Sequence, residues 1–373
     1  MRIAVNTRLL LKDKLEGIGW FSYEILKRIV KQHPEHKFYF IFDRKYATEF
    51  IFSDNVFPIV LFPPTRLPFL ITWFFQRRIP KVLKKINADV FISPDGWIPC
   101  NTEIPIMNVI HDINFVHHSE FVPKMYSRHF KKWFPCFAKK ATALVTVSEY
   151  SKKDIIKVFD IDANKVSVVY NGVGSNFKPL DKETILQTRR LVTSGEPYFI
   201  FVGSIHPRKN LNNILEGFIT FKKKTKSSVK FVIVGSKMFR NFQQKEQDNI
   251  KQMRDDIIFL GRQSADKLLN LLGSALALTY ISLFEGFGIP ILEGFQAGVP
   301  VITSNVTAMP EVANNAAILV NPLSVAEIAN AMQRIWENPD LRLELIIKGQ
   351  KRVKEFSWEQ SAQKFWHILE TII

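Results

Sequence analysis

The 373-residue chain has only two cysteines, Cys100 and Cys136, and no Cys-x-x-Cys spacing. That argues against a disulfide scaffold and against a thiolate zinc site, and it fits a reducing compartment. Acidic side chains are also few, 35 against 51 lysines and arginines, for a net charge of +16. The excess leans to the N-terminal half, where residues 1–175 hold 26 basic and 16 acidic side chains. Such a field attracts phosphorylated substrates, anionic lipid or nucleic acid without choosing among them. No zinc-finger spacing, RNA-binding aromatic motif or basic helix stands out, so nucleic acid is not expected as a partner. Long apolar runs are missing too. Pro58, Pro63, Pro64, Arg66 and Pro68 interrupt the most apolar stretch, Phe57 to Phe75, which therefore cannot be one spanning helix of about 20 residues. The segment Met1-Arg2-Ile3-Ala4-Val5-Asn6 enters a predicted strand directly, without the apolar core of a signal peptide, and a cytoplasmic location is expected.

What is present is a regular alternation of short β-rich runs with helical patterns, the signature of parallel sheets covered on both faces. The runs are Arg2–Val5, Phe38–Phe42, Ile59–Phe62, Val90–Ser93, Ile106–Ile110, Ala143–Val147 and Val166–Tyr170, and after a polar stretch Tyr198–Val202, Phe231–Val234, Ile257–Leu260, Ala275–Tyr280, Val299–Thr303 and Ile318–Val320. The pattern predicts an α/β protein of two doubly wound, Rossmann-like domains, 1–178 and 179–356, with ligands at the carboxyl ends of strands. Residues 357–373 form an amphipathic segment carrying Trp358, Phe365 and Trp366, a helix that needs a partner surface.

The most informative stretch runs from Phe284 to Glu293. A strand leads into Glu285-Gly286-Phe287-Gly288, then Ile289-Pro290 opens a helical pattern that ends at Gly298 and Pro300. Proline suits the first helical turn, and glycine suits a left-handed cap. The helix N-terminus is a site for an anion. Glu285 and Glu293 flank it, and carboxylates accept hydrogen bonds from hydroxyls rather than bind phosphate. A phosphate cradle between two hydroxyl acceptors suggests a sugar nucleotide. The ordinary alternative for Glu293 is an acid offsetting the helix dipole.

Three further segments carry chemistry. Gly203-Ser204-Ile205-His206-Pro207-Arg208-Lys209-Asn210 puts two cations at a helix start, against the local dipole, which makes sense if a diphosphate arrives; a solvated basic turn is the alternative. Glu16-Gly17-Ile18-Gly19 reads as a Gly-x-Gly loop, too far from the first strand for a dinucleotide fingerprint, so NAD is not expected. His111-Asp112 ends a predicted strand, where histidine can meet a sugar hydroxyl or simply serve the turn. In the 57–85 region, Phe69, Trp73, Phe74 and Phe75 are interleaved with Arg77, Arg78, Lys81, Lys84 and Lys85, which suits either an anionic membrane surface or core packing beside a solvated face.

The ordered set Glu-Gly-Phe-Gly-x-Pro-x-x-x-Glu, with Gly-Ser-x-x-Pro-Arg-Lys-Asn before it, resembles retaining nucleotide-sugar glycosyltransferases of the GT-B fold, glycosyltransferase family 4. Val-Ile-His-Asp-Ile-Asn-Phe looks like the mannosyltransferase branch. The resemblance implies two Rossmann-like domains facing across a cleft, with the C-terminal helix crossing back onto the first. It implies a metal-independent hexosyltransferase, with GDP-mannose as first donor and a UDP-sugar second, and a saccharide or polyprenyl-linked acceptor in cell-surface glycan synthesis. Glu285, His111 and Asp112 would serve the transferred sugar and acceptor. Gly17, Gly19, Gly203, Ser204, Arg208, Lys209, Gly286, Phe287, Gly288 and Ile289 would surround the donor phosphates and sugar. Gly261 and Arg262 would read the base, and Glu293 would hold the ribose. Many relatives carry arginine where Ser204 stands, which leaves Arg208 as the second cation. No cofactor or metal is expected. A GT-B epimerase or phosphorylase is the rival enzyme, and a nucleic-acid-binding protein the remote one.

Overall fold

A computed structural model describes residues 1–236 and 255–373. The chain divides into two compact units, Met1–Gly172 with Ser357–Ile373, and Val173–Phe356. The division falls a few residues ahead of the join that the sequence placed at 178.

In the first unit, strands β1 (Arg2–Asn6), β2 (Lys37–Phe42), β3 (Val56–Val60), β4 (Val90–Ser93), β5 (Ile106–Val109), β6 (Ala143–Thr146) and β7 (Val166–Val168) form a seven-stranded sheet. Every pairing is parallel, and the order is β3-β2-β1-β4-β5-β6-β7. The central strands read as near-continuous apolar runs because helices cover both faces. Strand β3 includes Pro58, where the sequence pattern starts the strand only at Ile59. It is an edge strand, and an edge tolerates a residue without an N–H on its open side.

The second unit repeats the plan. Strands β8 (Tyr198–Val202), β9 (Lys230–Val234), β10 (Ile257–Gly261), β11 (Ala277–Tyr280), β12 (Val301–Ser304) and β13 (Ile318–Val320) pair in the order β10-β9-β8-β11-β12-β13. Phe199, Phe201, Phe218, Phe231, Ile233 and Met332 belong to its core. In each sheet the order reverses at one place, between β1 and β4 and between β8 and β11. Such a switch point opens a crevice at the carboxyl ends of the strands.

The Trp358–Glu370 helix packs within the first unit. Ser357 caps it by accepting from the Glu359 N–H, and Ser361 donates to the Tyr170 carbonyl at 2.7 Å. Phe21 of the Gly17–Gln32 helix meets the rings of Trp358 and Phe365 edge-on at 6.2 and 6.1 Å, and Trp366 stacks on His33 at 3.6 Å. A Cβ on Gly172 would stand 2.4 Å from the Trp358 nitrogen, so the chain passes there only as glycine.

The aromatic and basic segment forms helix Pro68–Trp73, a wide turn at Phe74–Arg78 and helix Ile79–Lys85. Phe74 and Phe75 are buried core residues, while Phe69 and Trp73 face outward with Arg77, Lys81, Lys84 and Lys85. The interleaving thus splits into a core half and a surface half. Among the described residues no helix is long and apolar enough to cross a membrane.

Replacing Phe365, fully buried under the Gly17–Gln32 helix, with alanine is expected to cost about 3–5 kcal/mol. Chemical denaturation followed by a probe in the first unit measures it, and an unchanged midpoint would show that the helix contributes nothing to that unit.

Candidate functional site

The second unit's switch point is built from the loops that leave β8 and β11. After Val202 the chain turns through Gly203 at φ +146, then enters a short 3-10 turn, Pro207–Lys209, before helix Leu211–Thr225. His206 Nδ1 accepts from the Arg208 N–H at 3.2 Å and so fixes the turn. Asn210, left-handed at φ +60, donates from Nδ2 to the carbonyls of Ile281 (3.1 Å) and Pro322 (2.6 Å). The Leu283 N–H donates to the Arg208 carbonyl at 2.8 Å. These bonds lock the two loops edge to edge.

The lock presents Arg208 and Lys209 to one carboxylate. Arg208 Nη1 donates to Glu285 Oε2 at 2.5 Å and to the Phe284 carbonyl at 2.9 Å. Lys209 Nζ stands 2.6 Å from Glu285 Oε1 and 2.5 Å from the Tyr280 hydroxyl, and 4.6 Å from that ring's centroid. All three charges are largely buried, with side-chain exposures of 22% for Arg208, 10% for Lys209 and 9% for Glu285. Burial alone would raise the Glu285 carboxyl, but Arg208 and Lys209 outweigh it and hold it at about 2. Burial, then the Glu285 charge, pushes the Tyr280 phenol well above its usual range. Tyr280 was not singled out in the sequence, since an aromatic residue ending a strand reads as core.

Beyond Glu285 the helix Ile289–Gln296 begins, with Gly288 at φ +105 before it and Pro290 in its first turn. Gly298 at φ +69 follows its end. In that first turn Pro290 carries no N–H and the Ile291 N–H donates to the Gly288 carbonyl at 3.0 Å, at the end of the helix whose dipole favours an anion. Glu293 lies on this helix, half-buried, and among the described residues its carboxylate has no hydrogen bond or ion pair. Burial without a counter-charge pushes it up to about 7. Gly261, at φ +66, accepts from the Gly235 N–H at 2.9 Å and places Arg262 at the carboxyl end of β10. Ser204 directly follows Gly203 at the matching end of β8.

In the first unit, Gly17 and Gly19 belong to the first turn of helix Gly17–Gln32 rather than to a loop before it. Glu16 makes no side-chain cap there, and its carbonyl accepts from the Trp20 N–H at 2.8 Å. A Cβ on Gly19 would press on Leu15 and the Leu9 carbonyl at 3.0 and 3.1 Å. His111 follows β5 and donates from Nε2 to the Pro94 carbonyl at 2.9 Å, since a carbonyl can only accept. Burial lowers its pKa, partly opposed by that carbonyl and by Asp112 and Asp95. The neutral ring therefore offers Nδ1 as an acceptor. Asp112 Oδ1 accepts from the Asn114 N–H at 3.0 Å, the turn-closing role that the residue types left open.

Two features lay outside the sequence assignments. Asn6, Arg8, Ser93 and Asp95 form a buried polar cluster at the first unit's switch point. The chain also contains an Asp-x-Asp string, Asp160-Ile161-Asp162, a spacing that can hold a metal-bound diphosphate. Here Asp160 ends a helix in the left-handed region, and Asp162 accepts from the Asn164 N–H at 2.9 Å. Among the described residues no group of three histidine, cysteine or acidic side chains is arranged to hold a metal ion.

Residues 183–352 match the family model described as Glycosyl transferases group 1, and residues 15–176 match Glycosyltransferase Family 4. The chain is 26% identical over 368 residues to O-antigen chain mannosyltransferase B of Escherichia coli, covering 94% of each. It is 31% identical over 248 residues to O-antigen chain mannosyltransferase RfbU of Salmonella typhimurium, covering 65% of each. The fold matches that of Anabaena Alr3699/HepE, solved in complex with UDP-glucose, with a TM-score of 0.76 at 16% identity over the whole of both chains. The two family matches leave out only the termini and the join at 177–182, and the chain belongs to this family of GT-B glycosyltransferases.

Proposed function

We propose that the protein is a retaining hexosyltransferase that moves mannose from GDP-mannose to a hydroxyl of a saccharide or lipid-linked saccharide, in cell-surface polysaccharide synthesis. The carrying observation is the single carboxylate, Glu285, shared by Arg208 and Lys209 at the switch point beside a helix N-terminus. The likeness to two mannosyltransferases supports mannose as the sugar. A UDP-sugar donor is the second reading, supported by the likeness to the UDP-glucose-bound structure.

In this reading the donor diphosphate takes the place of the carboxylate at the two cations. Glu285 turns to the hydroxyls of the transferred sugar, and the N–H groups of Gly286, Phe287, Gly288 and Ile289 support phosphate and sugar. Glu293 accepts from the ribose hydroxyls, Gly261 and Arg262 meet the base, and Gly203 and Ser204 leave room for the phosphates. From the first unit, Gly17 and Gly19 offer helix N–H groups, and His111 Nδ1 and Asp112 meet sugar and acceptor. The anomeric carbon–oxygen bond breaks toward the diphosphate, whose growing charge Arg208 and Lys209 receive. The acceptor hydroxyl then attacks the same face, its proton passing to the departing phosphate oxygen. Neither glutamate acts as a nucleophile, and the cations do the work of a metal by charge stabilisation in place. The protein works in the cytoplasm at a membrane surface, to which Phe62, Leu67, Phe69 and Trp73 offer exposed rings and chains beside Arg77 and Lys81.

Lys209→Ala is expected to weaken GDP-mannose binding by about tenfold to a hundredfold, the scale of a lost charge-assisted bond. Glu285→Gln should tighten GDP itself by about tenfold, because the competing carboxylate charge is gone, while transfer falls. Calorimetry with GDP and rate assays check both; unchanged affinity in the two variants would remove these side chains from the diphosphate site.

Glu293 generates a pH signature. Its folded pKa, about 7, lies above the unfolded value, so the folded state binds more protons across that window and loses stability as pH rises. Glu293→Gln cannot ionise. It should match the wild type near pH 4 and exceed it by on the order of 1–3 kcal/mol above pH 7, while losing discrimination between ribose and deoxyribose donors. Melting curves across pH test this, and a pH-independent difference would contradict it.

Flotation with phosphatidylglycerol vesicles at low salt should carry the wild type and leave Phe69→Ala/Trp73→Ala behind. A wild type that stays with the pellet under these conditions ends the membrane proposal.

A further inference from the structure

The polar cluster at the first unit's switch point has no part in the donor assignments above. Asn6 ends β1 and Ser93 ends β4, the two strands that flank the crevice. Asn6 Nδ2 donates to Asp95 Oδ1 at 2.7 Å, and the Trp97 N–H reaches the same oxygen at 3.2 Å. Ser93 Oγ donates to the Trp97 carbonyl at 2.6 Å. Arg8 Nε donates to the other oxygen, Asp95 Oδ2. Asp95 is therefore filled by partners from its own unit, and what it does is hold Arg8.

Arg8 is not filled. A guanidinium has five N–H donors in a fixed fork. One goes to Asp95 and one, from Nη1, to the Thr65 hydroxyl at 3.3 Å. Among the described residues the others have no partner, and yet the side chain is only 12% exposed, with the Phe75 ring 5.8 Å from Cζ. The neighbouring Thr7 hydroxyl, 1% exposed, also has no partner. Of these groups only the Thr7 hydroxyl is sealed from solvent without a partner; the open edge of the Arg8 fork still reaches solvent, where an occupant can complete it.

The charge balance says what kind of occupant. Asp95 neutralises Arg8, and Asp43 beside Thr65 is matched by Arg44 at 2.6 Å. A phosphate would find no net positive field here, whereas neutral hydroxyl and ring oxygens can accept from the open edge of the fork. The position fits as well. His111 donates to the carbonyl of Pro94, the residue before Asp95, so the ring assigned to the transferred sugar lies against this loop. An acceptor hydroxyl has to arrive next to that sugar.

We propose that Arg8, held in place by Asp95, binds the acceptor saccharide through its hydroxyl and ring oxygens. This rests on the glycosyltransferase reading and adds the acceptor side to it. Arg8 is the contact, and Asp95 is a positioning residue that touches no substrate.

The test uses the full chain with GDP-mannose or UDP-glucose, whichever it binds, and octyl glycosides of mannose, galactose and N-acetylglucosamine as acceptors. Arg8→Gln should raise the acceptor KM about tenfold or more, with the donor KM and the rate of donor hydrolysis without acceptor unchanged. Arg8→Lys keeps the charge against Asp95 and loses the fork. It should preserve folding, even where the glutamine variant does not, and still raise the acceptor KM. An unchanged acceptor KM in the lysine variant, a parallel rise in donor KM, or a wild type that hydrolyses donor but glycosylates none of the octyl glycosides would overturn the inference alone. A wild type that binds neither donor would sink the functional reading and this inference together.

Discussion

The carboxylate of Glu285 is anchored by two cations that precede it by more than seventy residues, and the second unit is organised around that contact. Strands β8 and β11 lie side by side although β9 and β10 come between them in the chain. Their outgoing loops meet at the crevice, and backbone and Asn210 bonds set their separation before any charge is considered. Within that frame Arg208 and Lys209 reach opposite oxygens of one carboxylate. Removing one member of such a buried group leaves a charge uncompensated. In the proposed function, the field that holds Glu285 charged is also the field that would receive a diphosphate.

The two glutamates of the same strand–loop–helix show how environment divides one residue type into two roles. Glu285, with cations on both oxygens, is held at about 2, and Glu293, desolvated without a counter-charge, rises to about 7. The first is a permanent anion that can exchange partners. The second is about half protonated near pH 7, and hydroxyls donating to it would favour its charged form. If Glu293 holds the ribose as proposed, the site carries a stability cost that its ligand would relieve.

Much of this was legible in the chain. Apolar runs bounded by glycine and polar turns located the strands, because parallel strands buried on both faces leave little room for polar residues. Glycine and proline around 286–300 marked a helix start and a left-handed stop that the backbone shows. The pattern was silent where contacts are long-range. Nothing local couples Tyr280 to Lys209 or Arg8 to Asp95, and the sheet order alone brings them together. Phe74 and Phe75 look like Phe69 and Trp73 in the sequence, and only the helix geometry sends one pair inward. The Gly17 and Gly19 turn reads as a loop because glycine is a poor helix former, although at a first turn its cost is small. Asp160-Ile161-Asp162 shows the converse, a spacing with a chemical meaning that its surroundings use for a helix end and a turn.

The central claim is that Arg208 and Lys209, released from Glu285, hold the donor diphosphate without a metal. Calorimetric titration of the protein with GDP-mannose in excess chelator tests it directly. The account predicts saturable binding that is the same with chelator as with added magnesium or manganese and that weakens as salt rises. Binding that appears only when a divalent cation is supplied would contradict it.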